Sequence, residues 1–149
     1  MAATNADPQR INGMPIPDQD EITGGFGRGG LAERMGLLIV SLSPQRSVAV
    51  LPVEGNEQPM GLLHGGAYCV IGETLGSIAA NLHAGPGRYA VGVDINATHT
   101  ASATSGWVTA VCEAIRLGRS MTVHEIAVED ADGRRLSTVR ITNMIRTRR

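Results

Sequence analysis

The sequence predicts an α+β fold in which a six-strand antiparallel sheet wraps around one long central helix. Three observations predict it. Residues 64–83, "HGGAYCVIGETLGSIAANLH", turn at about 100° per residue into an apolar stripe of Tyr68, Ile71, Leu75, Ile78, Ala79 and Leu82. Two β-rich runs precede this segment, and four follow it after a break at Gly85-Pro86-Gly87. The links within each group are short and built from Gly, Ser, Asp and Pro, the chemistry of tight turns. A sheet that curls around the helix buries the stripe.

Taken in chain order, residues 1–30 are expected to form an extended or flexible N-terminal segment. Its first 20 residues are polar and broken by Pro8, Pro15 and Pro17, and a glycine loop, "GGFGRGG", follows. Residues 31–149 then form a single domain. It begins with a short helix near Leu31 to Met35. The strands "GLLIVSLS" and "RSVAVLPV" come next, joined around Pro44. A loop, "EGNEQPMGLL", leads into the long helix. After it come "YAVGVDINATHTAS", "GWVTAVCEAIRLG", "SMTVHEIAVED" and "RRLSTVRITNMIRT", a four-strand meander.

With 149 residues, 42% of them apolar, the chain has material for one core and too little for two. Its net charge of −1 argues against nucleic-acid binding. All 13 basic residues are Arg, a set as readily explained by base composition as by anion recognition. Cys69 and Cys112 form no CxxC pair and fit a reduced, cytoplasmic setting. No apolar run reaches the roughly 18 residues of a membrane span, and the N-terminus lacks the pattern of an export signal.

The second face of the long helix carries Gly66, Cys69, Val70, Glu73, Ser77 and Ala80. A mid-helix carboxylate is as often a solvated residue as a functional one, but solvated faces are rich in long charged side chains. This one holds no other charge between His64 and His83, so Glu73 is a candidate general base or nucleophile. Ser77, one turn on, could hold the carboxylate or an attacking water, or bond back to the Glu73 carbonyl. Gly65 and Gly66 open the helix, where free N–H groups can polarise a carbonyl or simply start a helix. His64 could donate to a substrate, orient the loop or cap, and Gln58 in the preceding loop could donate its amide or be solvated.

Other patterns point away from other chemistry. Gly25-Phe26-Gly27-Arg28-Gly29-Gly30 matches G-x-G-x-x-G but follows no strand and sits in no βαβ unit, so a lid is the better reading than a dinucleotide site. His83, His99 and His124 have no zinc-ligand spacing, and no G-x-S-x-G elbow exists. One sheet leaves the small-residue face of the helix and a strand edge uncovered. Pairing with a second copy would cover both, so at least a homodimer is expected, with Glu73 near the seam.

His64-Gly65-Gly66 with an acid, Glu73, nine residues after the His, set within this order of elements, resembles the hotdog-fold acyl-CoA thioesterases of the phenylacetate-pathway type. The "AIRLGRS" turn at 114–120 and the "DADGR" hairpin at 130–134 extend the resemblance over roughly residues 37–147. Within that family the chain is most similar to 4-hydroxybenzoyl-CoA thioesterases, which carry their acid in the central helix.

The resemblance implies a hotdog fold and hydrolysis of an aryl-CoA, 4-hydroxybenzoyl-CoA in aromatic degradation. It implies a site shared by two subunits of a homodimer, and from there a homotetramer. No metal or bound cofactor is implied, coenzyme A being part of the substrate. Glu73 would be nucleophile or general base, the Gly65 N–H would polarise the carbonyl, Gln58 and His64 would orient that end, and Ser77 would assist. Gly66 would bind substrate at the helix start, and Arg119, Ser120 and Met121 would lie near the CoA arm. The chain differs from many relatives in having Glu for Asp, Gln for Asn and Ser for Thr. A hotdog enoyl-thioester hydratase or dehydratase, or a non-catalytic acyl-CoA-binding module, is the alternative.

Overall fold

A computed structural model describes residues 9–148. The N-terminal stretch does not run extended throughout. Strands β1 (Arg10–Ile11) and β2 (Met14–Pro15) form a hairpin, and α1 (Gln19–Ile22) follows, its first N–H groups held by the Asp18 carboxylate. Asn12 Nδ2 donates to Trp107 O and Thr109 Oγ1, which pins the hairpin to the body of the protein. Residues 1–8, which belong to the same expected segment, lie outside the described residues.

The rest follows the predicted order. Helix α2 (Gly30–Arg34) leads to β3 (Leu38–Ser41) and β4 (Arg46–Pro52), then α3 (Gly65–Ala84), then β5 (Arg88–His99), β6 (Trp107–Leu117), β7 (Met121–Glu129) and β8 (Arg135–Thr147). The last six strands make one antiparallel sheet in the order β3-β4-β6-β7-β8-β5. Helix α3, 20 residues and about 30 Å long, lies across its concave face. This is the hotdog arrangement.

The helix comes close to the sheet because two of its inward residues are glycines. A Cβ at Gly72 would stand 2.7 Å from Val139 Cγ1, and one at Gly76 would overlap Ile141 Cγ2. Val139 and Ile141 therefore pack on bare backbone, flanked by Tyr68, Ile71, Leu75 and Ala79, all buried. The buried stripe is rotated from the expected one. Leu82, expected in the core, is 49% exposed, and Ile78 is only partly buried, while Ala80, expected on the open face, is fully buried. Tyr68, Ile71, Leu75 and Ala79 of the expected stripe stay buried, and the close contact through Gly72 and Gly76 adds the small residues beside them to the covered face.

The core also contains polar groups. Asn143 stands on β8 between Ile141 and Ile145, and Thr122 opposes it on β7, with His124 two residues further on; all three are fully buried. The His124 Nε2–H donates 2.9 Å to Pro44 O. Burial holds its pKa below the usual histidine range, the Pro44 contact works against that shift, and His83 adds to it. His124 is therefore a neutral structural donor.

The two sheet edges differ. Gln19 closes β3, its Nε2 donating to Ile39 O at 2.9 Å and its Oε1 accepting from Ile39 N at 2.7 Å, as a neighbouring strand would. At the other edge β5 pairs only with β8, and Val91, Val93 and Ile95 are exposed along it. No helix among the described residues is long and apolar enough to cross a membrane.

Gly76→Ala is expected to lower stability, since overpacking against Ile141 costs about 1–3 kcal/mol and helix propensity returns about 1 kcal/mol. A urea or thermal melt reads the difference. A midpoint at or above that of the unaltered chain would show that the sheet does not approach the helix as closely as described.

Candidate functional site

Glu73 projects from the middle of α3 toward β5. A methyl group at Gly92 would overlap its Oε1, so the carboxylate lies directly against the strand backbone. At this point the β5–β8 register slips between Gly92 and Asp94, a bulge that absorbs Val93. Ser77 Oγ donates to Glu73 Oε1 at 3.2 Å and lies 3.3 Å from Asn143 Oδ1. Of the two sequence alternatives for Ser77, the structure takes the side-chain bond. Cys69, one turn earlier, has its thiol pushed up by burial and then by the nearby Glu73 charge. Burial, followed by Glu113, pushes the Cys112 thiol up to about 12, so neither cysteine is an activated nucleophile.

The start of α3 forms a second group. His64 is its N-cap, with Nδ1 accepting the Gly66 N–H at 2.8 Å. His99, at the end of β5, sits over Gly65. A Cβ there would stand 2.9 Å from His99 Nε2, the ring tilts against Tyr68 with centroids 4.9 Å apart, and its Nδ1 is 2.9 Å from Ser137 Oγ. Gln58 is turned back on its own loop, its Oε1 accepting the Met60 N–H. The Gly66 and Ala67 N–H groups are taken by His64; the Gly65 N–H, at the positive end of the helix with an imidazole beside it, can hold a carbonyl oxygen as it gains charge.

These two groups are not together. Glu73 is eight residues beyond Gly65, about 12 Å along the helix axis. Gly92 and His99, which mark the same two places on β5, are roughly 20 Å apart along the strand. The carbon and oxygen of a carbonyl are about 1.2 Å apart, so Glu73 cannot reach a carbonyl held by the first turn of its own helix. Arg119, Ser120 and Met121 lie further still, at the opposite end of α3. There Arg119 O accepts from Arg88 Nη1, and the neighbouring Gly118 O meets His83 Nε2.

The open side of α3 is walled by the glycine loop and α2. A cleft of about 470 Å³ lies between Arg28, Leu31, Val70, Glu73, Thr74 and Ile95. A larger one of about 1000 Å³ runs on past Ser77, Ile78 and Leu82 toward Gly85–Gly87. Arg28 anchors the loop by donating to Leu37 O, and Gly27 and Gly29 take positive φ. The G-x-G-x-x-G run thus forms cleft wall. Among the described residues no three His, Cys, Asp or Glu side chains gather as a metal site would require.

Three residues at these places escaped the sequence reading. Gly92 carried a signal, since a lone Gly in a strand marks a bulge or a close approach, and both occur. Asn143 stands in the inward phase of Val139, Ile141 and Ile145, where an amide is out of place. The sequence around His99 speaks only to metal ligation, and nothing local places it over Gly65.

Residues 60–137 match the family model described as Thioesterase superfamily. The chain is similar to a putative esterase from Deinococcus radiodurans, 45% identical over 76% of this chain and 72% of the relative. It is also similar to the proofreading thioesterase EntH of Cronobacter sakazakii, 38% identical over 78% of this chain and 86% of that one. Among solved structures, a mutant thioesterase from Pseudomonas aeruginosa superimposes with a TM-score of 0.80 at 33% identity, covering 89% of this chain and 96% of that one.

Gly92→Ala is expected to displace the Glu73 carboxylate while the sheet, whose backbone conformation there suits alanine, stays folded. A crystal structure or a carboxylate-directed labelling experiment checks it. A Glu73 side chain left where it was would show that the seat has more room than the contact implies.

Proposed function

The chain belongs to the thioesterase superfamily, and from that premise we propose that it hydrolyses acyl-CoA thioesters in a site completed by a second copy of itself, with Glu73 as the acting carboxylate. The observation that carries this reading is the seat of Glu73: a lone carboxylate held in a cleft at an unpaired sheet edge, more than two turns from the helix start that would hold the thioester oxygen.

A second copy removes the separation. Glu73 lies at Gly92 and Gly65 lies at His99, on the same edge strand. We propose that β5 pairs antiparallel with β5 of the partner about a two-fold axis at Asn96. Ile95 then faces Ala97 of the partner subunit and Asp94 faces Thr98 of the partner subunit. The bulge at Val93 brings Gly92 opposite His99 of the partner subunit, with both side-chain directions inward. Glu73 of one copy thereby meets the helix start of the other, twice per dimer. The bare β5 edge, beside a β3 edge already closed by Gln19, supports this choice of strand.

In such a site the Gly65 N–H polarises the thioester carbonyl, with His64 fixing the first turn and Gln58 orienting the loop beside it. Glu73 then acts in one of two ways. It takes a proton from a water that adds to the carbonyl carbon, or it adds itself, expelling the CoA thiolate and leaving a mixed anhydride that water opens. Both routes end in a carboxylic acid and free CoA, and neither calls on a bound cofactor. Single-turnover hydrolysis in heavy-oxygen water separates them, since label enters the Glu73 carboxylate only by the second route. Gly66 is assigned to substrate at the helix start, and Arg119, Ser120 and Met121, supplied by another protomer, to the CoA arm. The cleft beside Glu73, lined by Leu31, Val70 and Ile95, suits a compact acyl group such as 4-hydroxybenzoyl. The resemblance extends the dimer to a homotetramer.

Free-thiol release from a panel of aryl- and alkyl-CoA esters, 4-hydroxybenzoyl-CoA among them, tests the activity. Glu73→Gln is expected to lower kcat by at least about a hundredfold, the low end of general-base catalysis, with KM little changed. Turnover near that of the unaltered enzyme would remove Glu73 from the mechanism, and binding without thiol release would favour the acyl-CoA-binding module. Asn96→Cys is expected to form an intersubunit disulfide under mild oxidation, seen as a dimer on non-reducing gels. A monomer band would displace the proposed strand pairing.

A further inference from the structure

A buried amide beyond the predicted site bears on how Glu73 is held. Asn143 is fully buried on β8, directly across the ladder from Gly92. Its Oδ1 lies 3.3 Å from Ser77 Oγ, and its Nδ2 is buried with no partner. Ser77 Oγ is at the same time 3.2 Å from Glu73 Oε1.

In this orientation the hydrogen bonding does not balance. A hydroxyl has one hydrogen to give and two lone pairs to receive with. Facing two acceptors, Ser77 can satisfy only one, while the Asn143 amide hydrogens, two strong donors, go unused in a dry core at a cost of about 1–3 kcal/mol. A half-turn of the amide exchanges nitrogen and oxygen within the same shape. The amide nitrogen then donates to a Ser77 lone pair, and the hydroxyl hydrogen has one acceptor left, the Glu73 carboxylate.

We propose that Asn143 is a positioning residue for the Glu73 site: its amide nitrogen donates to Ser77 Oγ and thereby commits the Ser77 hydroxyl hydrogen to Glu73 Oε1. Glu73 Oε1 is fixed from behind, against Gly92, and Oε2 is left to face the substrate. The hydrogen bonds run in one direction, Asn143 to Ser77 to Glu73: the first joins strand β8 to helix α3, and the second lies one turn apart within α3. The kinetic consequence rests on the reading of Glu73 as the acting carboxylate; the direction of the hydrogen bonds does not.

Two measurements test it on the full chain. In protein labelled with ¹⁵N-asparagine, Ser77→Ala is expected to shift one Asn143 side-chain amide proton and speed its exchange with water, because that proton loses its acceptor. An unmoved amide pair means that the oxygen faces Ser77, and overturns the proposal. In kinetics with an ester hydrolysed by the unaltered enzyme, Asn143→Leu and Ser77→Ala are each expected to lower kcat on the order of tenfold, the loss of one hydrogen bond to a carboxylate, with KM little changed. The double variant is expected to be no slower than Ser77→Ala alone. Losses that multiply, or an Asn143→Leu variant with unaltered kcat, overturn it. Should Asn143→Leu fail to fold, the labelling result on Ser77→Ala still decides. If no ester on the panel is hydrolysed, the proposed activity fails by itself and the amide measurement stands alone.

Discussion

A carboxylate can lie between a helix and the face of a sheet only where the strand gives up a side chain. Gly92 is that place. With any Cβ there, Glu73 Oε1 would have no room; without one, the carboxylate rests on strand backbone and accepts from Ser77 one turn along its own helix. The bulge at Val93 follows from the same arrangement, since a strand without a side chain at its inward position bends easily and the register slips there. Glycine also decides how near the rest of the helix comes. Gly72 and Gly76 let Val139 and Ile141 pack on backbone, which sets the distance from helix to sheet along the length that carries Glu73.

The polar interior has a matching logic. Between Ile141 and Ile145, where the alternation of β8 calls for another aliphatic residue, the chain places Asn143. An amide in that position costs stability unless it is bonded, so its presence asks what it bonds to. The nearest group is Ser77, and beyond Ser77 is Glu73. His124, on the adjacent strand, answers the same question within the fold itself by donating to Pro44 O. One buried polar residue ties a loop to the sheet, and the other faces the only charged side chain between the two ends of α3.

Edge asymmetry links the fold to the proposed chemistry. A strand edge attracts another strand unless something occupies it. Gln19 occupies the β3 edge with a pair of side-chain bonds to Ile39, using a segment that composition alone suggests is unstructured. The β5 edge keeps Val91, Val93 and Ile95 in the open. Because an α-helix rises about 1.5 Å per residue, the acid and the helix start of one chain stay about 12 Å apart however the side chains turn. The proposed site therefore takes its acid and its helix start from two copies joined across that open edge.

The sequence by itself determined the six strands, the long helix and their order, because hydrophobic period and turn chemistry are local; four-residue spacing offered Ser77 the Glu73 carboxylate or the Glu73 carbonyl, and the structure takes the carboxylate. It also placed His64 at the helix start, among alternatives that included the cap it forms. Tertiary structure alone decided which flank of the helix is buried. A 100° repeat puts Leu82 and Ala80 on nearly opposite sides and favours the larger side chain for the core, yet at this end of the helix Ala80 is buried and Leu82 is not. It also decided the surroundings of the acid. Gly92, His99 and Asn143 come from strands 19 to 70 residues beyond Glu73 in the chain, and what sets them beside α3 is the ladder register between β5 and β8, a relation between strands that no single segment encodes.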